Sequence, residues 1–160
     1  MITVELMDNL AAYLRRIVQE YDTLQPSGKV PVEVYAGWPP VRVNAEEKAS
    51  FIYALVISTE DKPDDDYGSA TIEIGFSIYD EDTTDGWRSL YNIMEHVRQA
   101  LLKKRTLAGR NRLELPLKGE ITDEQPYPQW QGKITAIYTI GQPSEEGLYF
   151  DEYQETRPKY

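Results

Sequence analysis

The strongest apolar signal in the chain runs from Phe51 to Ile57. In extended backbone Phe51, Tyr53, Leu55 and Ile57 point one way and Ile52, Ala54 and Val56 the other, so both faces are apolar. This pattern predicts a central strand with no solvent side. After the turn sequence Asp61-Lys62-Pro63-Asp64-Asp65-Asp66-Tyr67-Gly68, Ile72, Ile74, Phe76 and Ile78 alternate with Thr71, Glu73, Gly75 and Ser77. The two runs read as a hairpin whose second strand has one wet face.

Upstream, Met7, Leu10, Leu14, Ile17, Val18 and Tyr21 recur at helical spacing, with Thr3 as N-cap and Gln25-Pro26-Ser27-Gly28 as the stop. Val30, Val32 and Val34 alternate with Pro31, Glu33 and Tyr35, a short strand whose proline suits a sheet edge. Gly37-Trp38-Pro39-Pro40 is a stiff connector.

Downstream, Asp85 is placed to cap a second helix in which Trp87, Leu90, Tyr91, Met94, Val97 and Leu101 form the apolar stripe. Lys103, Lys104 and Arg105 stand at its C-terminal end, where positive charge offsets the helix dipole, and Gly109 ends it. Leu113, Leu115 and Leu117 alternate in a strand marked by Pro116 as an edge, and Lys118-Gly119 opens a long polar connection. Ile134, Ala136, Tyr138 and Ile140 alternate in a last strand. The order predicts a single α+β domain over 1–141, with a mainly antiparallel sheet of about five strands and two main helices on one face. Residues 142–160 read as an acidic, aromatic tail carrying Tyr149, Phe150 and Tyr153.

Composition narrows the function classes. At 160 residues the chain suits one domain that buries roughly two thirds of its unfolded surface without staples. Without cysteine there is no thiol catalysis, disulfide or thiolate zinc site, and no apolar run approaches a membrane span; the chain reads as soluble and cytoplasmic. A net charge of -10 argues against general nucleic-acid binding. Charge is also segregated: residues 60–85 hold ten acids against Lys62, whereas residues 88–118 hold eight bases against Glu95 and Glu114.

No catalytic constellation emerges. His96, the single histidine, has no partner at a telling spacing and reads as structural. Asp64, Asp65, Asp66, Asp80, Glu81, Asp82 and Asp85 lack the spaced glycine and closing glutamate of a calcium loop, and read as a solvated turn and a helix start. There is no phosphate-binding glycine loop, nucleophile elbow or His-Glu-x-x-His motif. The expectation is a protein without cofactor, metal or catalytic activity. Trp87 reads as core. Trp38 and Trp130, each beside prolines, are the better interface candidates, with packing on the sheet as the alternative.

Two features point to assembly. The doubly apolar strand needs a cover on its second face, either a neighbouring subunit or the C-terminal tail. If the acidic hairpin and the basic segment project from opposite sides, copies join head to tail in a closing ring; otherwise the two are solvated faces.

The early helix, Gly37-Trp38-Pro39-Pro40, the hairpin ending in Gly75-Phe76-Ser77-Ile78-Tyr79-Asp80, the helix over 87–102, and Pro126-Tyr127-Pro128-Gln129-Trp130 with its final strand resemble, over residues 1–141, a known family. It is the tail terminator, or tail completion, family of long-tailed bacteriophages and prophages, the minor tail proteins of the lambda U kind. The resemblance implies a structural, non-enzymatic virion assembly protein. It forms a homo-oligomeric ring, a hexamer in the assembled tail, on the head-proximal end of the tail tube. There it ends tube polymerisation and joins the tail to the head-tail connector protein. The implied partners are a second copy, the tail tube protein and the connector, with no membrane and no sequence-specific nucleic acid. The implied location is the virion tail, and the host cytoplasm during assembly. Carried onto this sequence, Asp64, Asp65 and Asp66 in the acidic loop and Lys103, Lys104, Arg105, Arg110 and Arg112 in the basic stretch become candidate subunit contacts. The alternative, from the charge alone, is a monomeric acidic binding or inhibitor module.

Overall fold

The computed structural model describes residues 2–25, 29–40 and 48–146. Two helices, α1 (Ile2–Thr23) and α2 (Trp87–Lys103), lie on one face of a six-stranded sheet. The strands are β1 (Val32–Ala36), β2 (Ser50–Glu60), β3 (Tyr67–Tyr79), β4 (Thr106–Leu107), β5 (Asn111–Ile121) and β6 (Gln129–Gly141), in spatial order β1-β2-β3-β6-β5-β4. The α+β class is as expected, with one strand more. The expected stop at residues 26–28 and the aromatic tail beyond residue 146 lie outside the described residues.

The spine of the sheet is the antiparallel pair β3 and β6, in unbroken register from Tyr67 opposite Gly141 to Tyr79 opposite Gln129. Their alternation places Ile72, Ile74, Phe76, Ile134, Ala136 and Tyr138 under the helices, all buried. Strand β2 is therefore not central; it lies between β1 and β3. Its helix-side residues Ile52 and Ala54 are fully buried, whereas Phe51 and Tyr53 are half-buried on the second face and Ile57, the extra residue of a bulge, is 52% exposed. The prediction of a strand without a solvent side is thus corrected. β1 pairs with β2 in parallel, because residues 37–49 make a connection long enough for a crossover.

β1 is an edge strand, but α1 masks that edge. Arg15 donates from Nε and Nη2 to the carbonyl of Val34 at 3.3 and 3.1 Å, and Asp22 accepts the amide of Val32 at 3.4 Å. The helix starts by Ile2, so Thr3 lies inside it and is no cap. Its buried stripe is Leu6, Leu10, Ala11, Leu14, Ile17 and Val18.

α2 buries Leu90, Ile93, Met94, Val97 and Leu101. Trp87, expected in the core, is 40% exposed, because the stripe passes through Ile93 rather than through Trp87 and Tyr91. Asp85 does not cap the helix. Asp82 accepts the amides of Thr84 and Asp85 at 2.9 and 3.0 Å in the turn before it, while Asp85 pairs with Arg88. Beyond α2 the chain turns through Ala108 and Gly109, both at positive φ, into β5. That geometry matches the twist of a tight hairpin. β5 continues to Ile121, so the long polar connection expected at Lys118 is a short loop after Ile121.

Candidate functional site

The acidic turn 61–66 joins β2 to β3 and is held rigidly from outside. Gln142, just past β6, accepts the Lys62 amide through Oε1 at 2.8 Å and donates Nε2 to the Lys62 carbonyl at 2.7 Å. Its own amide donates to the Asp66 carbonyl at 2.9 Å. Inside the turn Asp64 takes positive φ and Asp65 accepts the Tyr67 amide at 3.1 Å. Lys62 reaches away to Glu114 on β5, at 3.9 Å. Asp61, Asp64, Asp65 and Asp66 have no cation within ion-pair distance among the described residues.

The basic stretch is split in two. Arg110 and Arg112 flank the β4–β5 turn, where Arg110 pairs with Glu5 at 3.3 Å and Arg112 donates to Thr106 Oγ1 at 3.4 Å. The Arg112 amide donates to Thr139 Oγ1, and Thr139 is paired through the sheet with Ser69 near the start of β3. Arg110 and Arg112 therefore lie at the same end of the sheet as the acidic turn. The opposite placement needed for a head-to-tail ring through these arginines is not what the fold provides. Lys103 and Lys104 instead end α2 on the helix layer, where they meet Arg16 of α1 in one groove; Lys104 sits over the Tyr13 ring at 5.0 Å. Arg105 turns inward to the carbonyl of Leu102 at 3.0 Å. Arg16 is separated from Lys103 and Lys104 in the sequence by three strands, and charge-run reasoning missed it.

Trp38 is 80% exposed at the end of β1, on the far side of Gly37. Trp130 is packed, donating Nε1 to the Asp80 carbonyl at 3.0 Å and meeting Tyr127 edge-on. Of the two, Trp38 is placed for contact and Trp130 for structure. His96 leans on the Tyr21 ring, with centroids 5.3 Å apart.

The acids before α2 are engaged. Asp80, 8% exposed, accepts Lys29 at 2.6 Å, Ser89 at 2.5 Å and the Asp82 amide at 3.0 Å. Burial alone would push its carboxyl up, but these three donors together hold it below its ordinary value. Glu81 is lowered by the hydroxyl of Tyr79 and by Lys48, and Asp82 by the amides of Asp85 and Thr84. Among the described residues no three acidic or histidine side chains are grouped to hold a metal ion.

The second face of the sheet carries no helix among the described residues. Across it runs a ladder: Tyr53 donates to Glu73 at 2.9 Å, Lys133 stands 3.7 Å from both Glu73 and Glu120, and Lys118 is 2.8 Å from Glu120. The ladder borders a hollow of about 630 Å³. On the β1 side Tyr35 meets Phe51 edge-on at 6.3 Å, and Ile137 lies half-buried on β6. Among the described residues no helix is long and apolar enough to cross a membrane.

No protein-family model matches the chain, and no curated protein matches it in sequence. A solved protein structure with 12% sequence identity superposes with a TM-score of 0.49, over 86% of this chain and 97% of its own.

Proposed function

We propose that this chain is a structural assembly protein of the tail-terminator kind, a ring subunit that caps the head-proximal end of a phage tail tube. In this role it ends tube polymerisation and presents a surface to the head-tail connector. The observation that carries the reading is the second sheet face. Phe51, Tyr53 and Ile137, each half-buried, line a surface that neither helix covers, in a domain whose other face is a complete core. Helices on one side of an antiparallel sheet already make a complete two-layer domain, so what favours a neighbouring copy is the apolar surface left half-buried on the open face. The charge ladder gives that face polar contacts of fixed geometry, which favour register between partners over bulk affinity.

The test is solution mass by light scattering after size exclusion, at low and high salt, with and without tail tubes. A closed oligomer near six subunits, alone or on tubes, supports the reading. A monomer under every condition transfers it to the alternative, a monomeric module that docks its acidic turn on a basic partner.

A further inference from the structure

Formal charges in this protein are mostly matched locally. Lys29, Lys48, Lys62, Arg88, Arg98, Arg110, Lys118 and Lys133 each face a carboxylate within 4 Å. What is left over is not scattered. Of the six other described cations, Arg15 and Arg105 are taken up by backbone carbonyls and Arg112 by Thr106, whereas Arg16, Lys103 and Lys104, with no carboxylate in ion-pair range among the described residues, converge on the groove between α1 and α2. Among the acids without an ion pair, Asp61, Asp64, Asp65 and Asp66 stand together in the one turn 61–66.

We propose that the α1–α2 groove, walled by Arg16, Lys103 and Lys104, receives the acidic turn of a second copy of this chain. The inference rests on the reading of the chain as a self-assembling ring and names the contact that closes it. The groove encloses about 350 Å³ and is floored by the Tyr13 ring, with His96 toward one end. It opens on the helix layer, whereas the turn leaves the end of the sheet where β3 begins, and no ion pair joins the two within one protomer. Two complementary surfaces at different places on one chain make a heterologous contact, which propagates from copy to copy and closes when the rotation permits. The turn is suited to be inserted. Gln142 fixes both backbone groups of Lys62, so little ordering remains to oppose binding. Glu20 beside Arg16 and the net charge of -10 disfavour an extended polyanion in the groove, which a short acidic turn does not share.

The experiment uses two full-length charge-reversal variants, Asp64→Lys with Asp65→Lys, and Lys103→Glu with Lys104→Glu. All four positions are exposed, and melting curves verify that both variants fold. Each variant alone is expected to self-associate at least about tenfold more weakly than wild type at low salt. Their equimolar mixture is expected to recover assembly, because every groove then finds a turn of opposite sign; the combined fourfold variant recovers it alone. Wild-type assembly matched by both variants overturns the groove contact and leaves the ring reading intact, as does a mixture that fails to recover. A wild type that is monomeric alone and on tail tubes overturns both. Duplex DNA captured by wild type and lost by Lys103→Glu with Lys104→Glu, at unchanged self-association, also overturns the contact and assigns the groove to nucleic acid.

Discussion

Tyr53 lays its ring across Gly75, its opposite partner on β3, so closely that a methyl group at Gly75 would overlap the ring carbons. The missing side chain lets the ring lie down over the sheet and brings its hydroxyl to Glu73 at 2.9 Å. This pair anchors the ladder on the second face. Gly75→Ala is expected to cost roughly 1 to 3 kcal/mol by forcing the ring off. The same change in a Tyr53→Ala background is expected to cost much less. Urea unfolding of the four proteins measures the coupling, and additive losses would show that the ring does not depend on the glycine.

The Tyr53 hydroxyl also titrates abnormally. Burial, and then the hydrogen bond and charge of Glu73, push it up to about 12 from an ordinary 10.0. A phenol that holds its proton harder when folded contributes stability that is full below pH 10 and is lost as pH rises toward 12. The stability gap between wild type and Tyr53→Phe is therefore expected to narrow across that window. A gap that stays constant from neutral to strongly alkaline pH would refute the assignment.

Asp80 has the opposite sign. Its lowered carboxyl contributes stability that is present above the ordinary carboxylate value of 3.8 and lost as pH falls through the lowered one. Asp80→Asn leaves Lys29 and Ser89 without their charged acceptor and is expected to cost about 2 kcal/mol at neutral pH. The deficit shrinks in acid, as wild type loses the same charge. Thermal unfolding from neutral pH down to pH 3 measures it; an equal deficit at both ends would place the cost in shape rather than charge.

Periodicity made β3, β6 and α2 legible because each buries one face, and burial writes period 2 or 3.6 into the chain. Strand rank was not legible. Phe51 to Ile57 is the most apolar run, yet β2 lies next to an edge strand, since rank depends on which strands the long ladder joins. The parallel pairing of β1 depends on the connection after it and leaves no mark in Val32 to Ala36 themselves. The charge runs misled in the same way. Arg110 and Arg112 follow Lys104 closely, but the β4–β5 turn carries them to the acidic end, while Arg16 arrives beside Lys103 from the first helix. Asp85 is a good cap by residue type, but the turn before the helix turns its carboxylate to Arg88 and leaves Asp82 to accept the amides of that turn.

Tyr138 is fully buried in the core, and its hydroxyl has no hydrogen-bond partner among the described residues. Burial and the nearby Tyr13 push its ionisation far up, so the group stays neutral and its cost is that of an unmet hydroxyl. Tyr138→Phe keeps the ring packing and removes the oxygen. It is expected to stabilise the fold by about 1 kcal/mol, raising Tm by roughly 2 to 4 °C. Differential scanning calorimetry decides it, and a fall in Tm would show that the hydroxyl is satisfied in solution.

Gln142 separates rigidity of the acidic turn from its charge. Gln142→Ala removes both side-chain bonds to Lys62 and leaves every carboxylate of the turn in place. Because Gln142 lies past the last strand, global stability is expected to change by less than about 1 kcal/mol, while the Lys62 amide exchanges roughly tenfold faster. If the groove contact depends on a preformed turn, self-association weakens with its salt dependence unchanged, since the number of charges is the same. Hydrogen exchange and light scattering on the one variant give both readings. Faster exchange at Lys62 with undiminished assembly would show that charge alone holds the contact; unchanged exchange would show that the turn keeps its shape without Gln142.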